Sequence, residues 1–195
     1  MKSKRLFDVV ISFFALIVLL PFLMIIAVCI KLTSKGPVIF SQKRVGKNNK
    51  DFILYKFRTM HVNAQQQSSL TIGTKDKRIT KIGFFLRKYK LDELPQFWNV
   101  LKGNMSIVGP RPELRKYVEL YTEEQKKILF VKPGITDYAS IEFKNESEFL
   151  ARADDPEIYY ITKILPLKIK LNNRYISNNT ISEYFFIIFK TLFPY

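Results

Sequence analysis

With 195 residues, and 32 Lys and Arg against 17 Asp and Glu, the chain has a formal charge of +15 and room for one domain with a real core plus an appendage. That charge calls for an anionic partner: nucleic acid, the acidic face of a membrane, or a phosphorylated substrate. A single cysteine excludes a disulfide framework, and a single histidine leaves little from which to build a multi-histidine metal site or a Ser/His/Asp triad.

The first element in chain order is apolar. Val9 to Ile30 runs for 22 residues without a charge, close to the roughly 20 that a membrane-spanning helix needs. Cys29 lies inside this run and reads as a packing residue. A signal peptide would have a shorter core and a small-residue cleavage site, whereas this run passes straight into Lys31-Leu32, so the segment is expected to be retained. Both flanks are basic, with Lys2, Lys4 and Arg5 before the run and Lys31, Lys35, Lys43, Arg44, Lys47 and Lys50 after it. The positive-inside bias puts both ends on the cytoplasmic side, which a re-entrant hairpin satisfies and a single straight span does not. Pro21, near the middle, removes a backbone donor and clashes with the carbonyl four residues back. Two readings stay open at this point, a helix-break-helix dipping into one leaflet and a proline-kinked span. Asp8, beside the run, is expected to be an interfacial charge paired with Lys4 or Arg5.

Beyond the turn at Gly36-Pro37, the segments Val38–Phe40 and Phe52–Tyr55 predict a small hairpin around a polar basic loop. The stretch His61–Lys75, with Gln65-Gln66-Gln67-Ser68-Ser69, has no periodicity and reads as a mobile surface loop; its histidine reads as a surface residue. Ile79, Ile82, Leu86 and Tyr89 then recur at helical spacing among Lys77, Arg78, Lys81, Arg87, Lys88 and Lys90. This basic amphipathic helix suits either the headgroup layer of a membrane or a core-facing position with a solvated basic face. A second helix is predicted from Leu94, Phe97, Trp98 and Leu101, with Asp92 as its N-cap, Pro95 in its first turn and Gly103 at its end. Gly109-Pro110-Arg111-Pro112 is a rigid turn that must aim Arg111, and a further helix is predicted from about Glu113 to Phe130. A turn at Lys132-Pro133-Gly134 leads into a helical, aromatic C-terminal third, and no repeat or linker divides the elements.

No GxxxxGK[ST] or GxGxxG sequence is present, and the aromatic residues fall in apolar periodic runs with no stacking platform, so no nucleic-acid partner is expected. What remains for chemistry is the adjacent pair Asp92-Glu93 among lysines and arginines. Alone, such a pair reads as a cap followed by a solvated glutamate. A carboxylate is also an established nucleophile toward phosphoryl groups, and a helix N-terminus suits a phosphate.

The flanking motifs weigh for the second reading. KLDELPQFWNVLKGNMSIVGPRPE at 90–113, YKFRTM at 55–60 and KPGIT at 132–136, with KRLFD at 4–8 and GPVIFSQKRVGKN at 36–48, closely resemble the bacterial sugar transferase family of monotopic phosphoglycosyl transferases. The resemblance covers all but about the last 50 residues, where it thins. It implies a mainly α protein with a small β-hairpin: a re-entrant hairpin at 1–35 and a cytosolic, membrane-surface catalytic domain with interfacial amphipathic helices at 36–195, on the inner membrane of a bacterium. It implies transfer of a sugar-1-phosphate from a UDP-sugar to polyprenyl (undecaprenyl) phosphate, with Asp92 as nucleophile, UMP as leaving group and Mg2+ held by Asp92 and Glu93. By the same resemblance Lys56, Arg58, Arg87 and Arg111 grip phosphate oxygens. Pro21 matches the proline that breaks the family's membrane helix, although Leu20 stands where many members have serine. Asp137-Tyr138-Ala139-Ser140 stands where many have Gly-Trp-Ala-Gln, which leaves the donor sugar and any role of Lys144 open; Glu157 is a weaker candidate for a carboxylate near the site. A homodimer is left open. The alternative from another class is a catalytically silent membrane-surface scaffold in which the acidic pair only caps a helix.

Overall fold

The computed structural model describes residues 2–62, 64, 70–73 and 76–193. The Gln65–Ser69 loop expected from the sequence lies outside them. The chain is mainly helical, with two small two-stranded sheets.

Helix α1 (Lys2–Thr33) contains Pro21 and continues through it. The expected helix-break-helix is therefore a single helix. Proline withholds one N–H, while the long-chain apolar residues on both sides favour helix and supply the other bonds. Ser3–Thr33 is long and apolar enough to cross a membrane, with a mean hydropathy of 3.1 in its most apolar part. Its two ends dock differently from its middle. Phe7 and Ile11 pack into a cluster built on Leu54, Val100, Met105, Ile107 and Tyr184. Ile26 and Ile30 pack with Phe57 and Leu86. Between them Phe13, Phe14, Ile17, Val18, Leu20, Met24 and Ile25 stand exposed around Pro21.

Asp8 corrects the reading of an interfacial ion pair. It is buried, and its Oδ1 accepts from the backbone N of Ile107 (2.8 Å), Ser106 Oγ (3.0 Å) and the Tyr184 hydroxyl (2.9 Å). Arg5 instead caps a helix end, donating to the carbonyls of Val100 (2.7 Å) and Leu101 (3.0 Å), and Lys4 bonds Asn179 and Tyr175. Free carbonyls at a helix C-terminus attract a cation as well as a carboxylate does.

Strands β1 (Ile39–Val45) and β2 (Asp51–Phe57) form the antiparallel hairpin, with Ile39 opposite Phe57 and Val45 opposite Asp51. It is longer than the apolar runs suggested, because Ser41 and Lys43 occupy its outward positions and stay in water. Helix α2 (Lys81–Lys88) is capped by Thr80, whose Oγ1 accepts from Gly83 N at 3.0 Å. Helix α3 (Gln96–Leu101) is tied to β2 by buried Asn99, which donates to Ile53 O (2.7 Å) and accepts from Tyr55 N (3.1 Å). Gly103 follows it at φ 86°, the left-handed stop expected of it.

Strands β3 (Ser106–Val108) and β4 (Gly134–Thr136) pair in parallel, pressing KPGIT against GPRP. Gly109 N donates to Thr136 O and Gly134 N to Pro110 O, both at 3.0 Å, and a side chain on either glycine would collide with the other segment's backbone. The predicted helix over 113–130 is only α4 (Arg115–Val118) followed by a 3-10 turn at Gln125–Phe130. The remaining helices are α5 (Tyr138–Glu142), α6 (Glu146–Ala151), α7 (Pro156–Tyr159), α8 (Leu165–Ser177) and α9 (Ile181–Leu192). Tyr117, Val118, Tyr121 and Ile128 join Tyr160, Ile164, Leu165 and Ile169 in one core, while α9 adds Tyr184 and Ile187 to the cluster beneath α1.

Candidate active site

Asp92 and Glu93 lie in a 3-10 turn, Leu91–Glu93, between α2 and α3. Asp92 is therefore not the N-cap that its spacing from Pro95 suggested; Pro95 itself occupies that position. The chain reverses at Lys90, held left-handed at φ 57°. A lysine there costs on the order of 1–2 kcal/mol, and the strain sits directly before the acidic pair. Both carboxylates are buried.

Their surroundings differ. Glu93 Oε1 accepts from Lys56 Nζ at 2.7 Å, and Arg111 grips the same carboxylate through both terminal nitrogens, with Nη1 at 3.1 Å from Oε2. Lys56 arrives from β2 and Arg111 from the turn after β3, so three distant segments meet at one carboxylate. Burial alone would raise the Glu93 pKa, but Arg111 and Lys56 outweigh it and hold the group well below the usual carboxylate range. Asp92 takes no hydrogen bond from the described residues. Burial raises its pKa, Lys56 opposes the rise and the Glu93 anion reinforces it. The two adjacent carboxylates are thus driven in opposite directions, Glu93 down and held by two cations, Asp92 up and without a hydrogen bond from the described residues.

Around this centre the predicted cations divide. Arg87, on α2, donates to Thr59 Oγ1 and Thr71 Oγ1, both at 2.9 Å, and its charge acts on Asp92. Arg58 is not drawn to the pair. The β2 ladder ends at Phe57, Arg58 N donates to Val38 O (2.9 Å), and the guanidinium turns under the end of α1 to donate to Ser34 O (2.8 Å) and Ser34 Oγ (2.9 Å). Glu157 pairs with Lys116 at the surface and accepts from Tyr117 OH at 3.4 Å, while Lys144 is exposed in the turn between α5 and α6.

Two positioning groups escaped the sequence reading. Buried Asp137 accepts from the backbone N of Arg111 (3.0 Å) and of Ser140 (2.6 Å), fixing the turn that aims Arg111. Glu113, two residues on, is held by the Tyr160 hydroxyl at 2.5 Å and faces Arg44 at 3.6 Å and Lys168 at 3.7 Å. Asp137 directly follows KPGIT and Glu113 closes the GPRPE sequence, which were the available signals.

Among the described residues no group of three or more His, Cys, Asp or Glu side chains converges on a metal position. Mg2+ commonly binds through one or two carboxylates plus substrate phosphates and water. The Asp92-Glu93 donor set fits an ion that arrives with a phosphate ligand, not a preformed cage.

The model of the family described as "Bacterial sugar transferase" matches residues 1–195. The chain belongs to that family. It is 40% identical over 192 residues to an Aeromonas hydrophila UDP-N-acetylgalactosamine-undecaprenyl-phosphate N-acetylgalactosaminephosphotransferase, covering 97% of this chain and 42% of that protein. It is 43% identical over 158 residues to a Klebsiella pneumoniae UDP-glucose:undecaprenyl-phosphate glucose-1-phosphate transferase, covering 79% and 34%. A Bacillus subtilis putative undecaprenyl-phosphate N-acetylgalactosaminyl 1-phosphate transferase is 41% identical over 121 residues, 62% of this chain and 68% of that protein. The chain thus spans about two fifths or less of the length of the first two relatives and about two thirds of the third. Within this family, the segments carrying Lys56, Asp92-Glu93 and Arg111 are the ones the fold brings together.

Proposed function

We propose that this sugar transferase moves a sugar-1-phosphate from a UDP-sugar to polyprenyl phosphate in two steps at Asp92. The observation that carries this is the unequal acidic pair: an Asp92 that takes no hydrogen bond from the described residues beside a Glu93 that already holds two cations. The names of the relatives support the donor and acceptor classes.

In the first step a carboxylate oxygen of Asp92 attacks the β-phosphorus of the donor. The bond from that phosphorus to the bridging oxygen breaks, UMP leaves with the electron pair, and an acyl phosphate holds the phosphosugar. In the second step a phosphate oxygen of the acceptor attacks the same phosphorus, Asp92 leaves as carboxylate, and a polyprenyl diphosphate sugar forms. Lys56 and Arg111 exchange Glu93 for diphosphate oxygens as the donor binds, so the site is charged for its ligand before the ligand arrives. Arg87 adds positive potential at Asp92. Glu93 and Asp92, with phosphate oxygens of the donor, would hold Mg2+, which would supply charge neutralisation.

In the same reading α1 bends at Pro21 so that both its ends return to the cytoplasmic face, with the remaining chain on that face. Docking of both its ends onto one body, with an exposed apolar middle at Pro21, supports this. Exposed Phe84, Phe85 and Trp98, and Phe186, Phe189 and Leu192 on α9, support a membrane-surface orientation.

The test is UMP release by nanodisc-held protein from a panel including UDP-glucose and UDP-N-acetylgalactosamine, before any acceptor is added. The wild type should release UMP up to one equivalent and exchange labelled UMP back into donor. Asp92→Asn should lower release by about a thousandfold or more. Release that strictly requires acceptor would remove Asp92 from this role, and no release from any donor would favour the silent scaffold.

A further inference from the structure

Among the described residues Arg58 is a buried cation without a counter-anion. It is 5% exposed, and while its Nη2 donates to Ser34, its Nε and Nη1 have no partner among those residues. Burial pushes its pKa down, and no carboxylate among the described residues acts against that. Arg111, Arg44 and Arg78 by contrast each face a carboxylate. A guanidinium with idle donors in a low-dielectric setting is a costly arrangement that an anion would relieve.

Beside it lies a groove of about 530 Å³ at the C-terminal end of α1, lined by Lys31, Leu32, Ser34, Lys35, His61 and Val62. A side-chain carbon on Gly36 would meet both Arg58 Nη1 and Val62, and Val62 and Ser34, to which Arg58 Nη2 donates, both line the groove. Lys31, Lys35 and His61 are exposed, and the described residues of the lining include no acid. Such a pocket focuses positive potential on whatever enters it.

Position narrows the ligand. The groove opens where the apolar helix ends: Leu32 is 81% exposed in its lining, with Met24, Ile25 and Val28 exposed one to two turns before. A ligand approaching along this face carries a hydrocarbon tail. Two residues before Arg58 on the same chain, about 7 Å away along an extended backbone, Lys56 contacts Glu93. Two exposed lysines over a buried guanidinium suit the two charges of a phosphate monoester better than the one of a phosphodiester headgroup.

We propose that this groove receives the phosphate of the long-chain prenyl phosphate acceptor and stages it for transfer from Asp92. The proposal rests on the transferase reading above and adds the acceptor's location. Lys31, Lys35 and His61 attract the phosphate, Arg58 fixes the charge behind it, and the tail lies along α1.

The test uses the full chain in nanodiscs, comparing wild type with the Lys31→Gln/Lys35→Gln double variant and with His61→Gln. All three substitutions are at exposed positions. Acceptor-free UMP release should be unchanged, while the KM for undecaprenyl phosphate rises about tenfold in the double variant at constant kcat. Direct binding of farnesyl phosphate should weaken by a similar factor, with neither phosphatidylglycerol nor inorganic phosphate competing. An unchanged acceptor KM would overturn the proposal, as would a parallel loss of acceptor-free UMP release. Equal competition by phosphatidylglycerol would make the groove a bulk-lipid site, and by inorganic phosphate a general anion site; either also overturns it. If wild type releases no UMP from any donor, the transferase reading falls, and farnesyl phosphate binding still decides the groove.

Discussion

Asp8 and Glu93 are both buried carboxylates, each at a junction between distant segments, yet they are neutralised in different ways. Asp8 joins α1 to β3 and α9 through three neutral donors, a peptide N–H and two hydroxyls. Glu93 joins the hairpin to the turn after β3 through two cations. Neutral donors satisfy an anion without creating anything a ligand could claim. Stored cations do the opposite, since Lys56 and Arg111 can be transferred from one anion to another. The first arrangement suits an anchor and the second suits a phosphate site.

Removing each charge should expose the difference. Glu93→Gln leaves half-buried Lys56 and Arg111 without a full counter-charge and should destabilise the fold by about 3 kcal/mol, the low end for breaking a buried pair because both cations keep some water. Asp8→Asn strands no charge and keeps an acceptor oxygen, so its expected cost is about 1.5–3 kcal/mol. Denaturant unfolding of both variants in matched nanodiscs checks the order. An Asp8 variant that lost more than the Glu93 variant would break the comparison.

Smaller effects appear in the pH dependence of stability. The Glu93 folded pKa is depressed, so its contribution is present above the unfolded value of about 4.3 and is lost as pH falls through the lower folded value. Asp92 has the opposite sign. Its folded pKa is raised, so its ionisation removes stability as pH rises from the unfolded value of about 3.9 through the folded one. Thermal midpoints followed from acid to neutral pH should therefore show a shallower acid-side fall in Glu93→Gln, with depressed Asp76 and Glu113 supplying part of what remains. In Asp92→Asn they should rise more steeply with pH. Parallel profiles in all three proteins would mean that the pair is not split.

The same contrast explains what could be read in advance. Helix α1 was legible because 22 uncharged residues have few alternatives, and the hairpin because two short apolar runs flank a polar basic loop. The segment after Glu113 was misread because its apolar spacing also suits a helix. The overlooked sign was a reciprocal break: Thr122 N donates to Gln125 Oε1 (3.0 Å) and Gln125 N to Thr122 Oγ1 (3.2 Å), restarting the chain so that Tyr121 and Ile128 both reach the core. Lys90 gave no sign, since lysine seldom turns left-handed. The meeting of Lys56 and Arg111 at Glu93 joins residues 37 and 18 apart, and only the family motifs hinted at it; local pattern carries no such information. Asp8 was misread because sequence proximity to Lys4 and Arg5 suggested a pair, whereas tertiary contacts offered each a better partner.

The smallest effect should come from Glu157, whose partner is also a lysine but whose setting is solvent. The Glu157 side chain is 52% exposed and that of Lys116 is 47% exposed, against 10% for Glu93 and 18% for Lys56. Water screens the exposed pair and competes for both groups, so ordering two long side chains offsets most of what their attraction contributes. Glu157→Gln should change stability by less than about 0.5 kcal/mol and leave UMP release at the wild-type rate. Lys116 also lies over the Tyr117 ring, 4.7 Å from its centre, and Tyr117 packs on Tyr160, whose hydroxyl holds Glu113 two residues from Arg111. A fall in UMP release without a fall in stability would therefore mean that this chain of contacts reaches Arg111, and that an ion pair in water matters to the site after all.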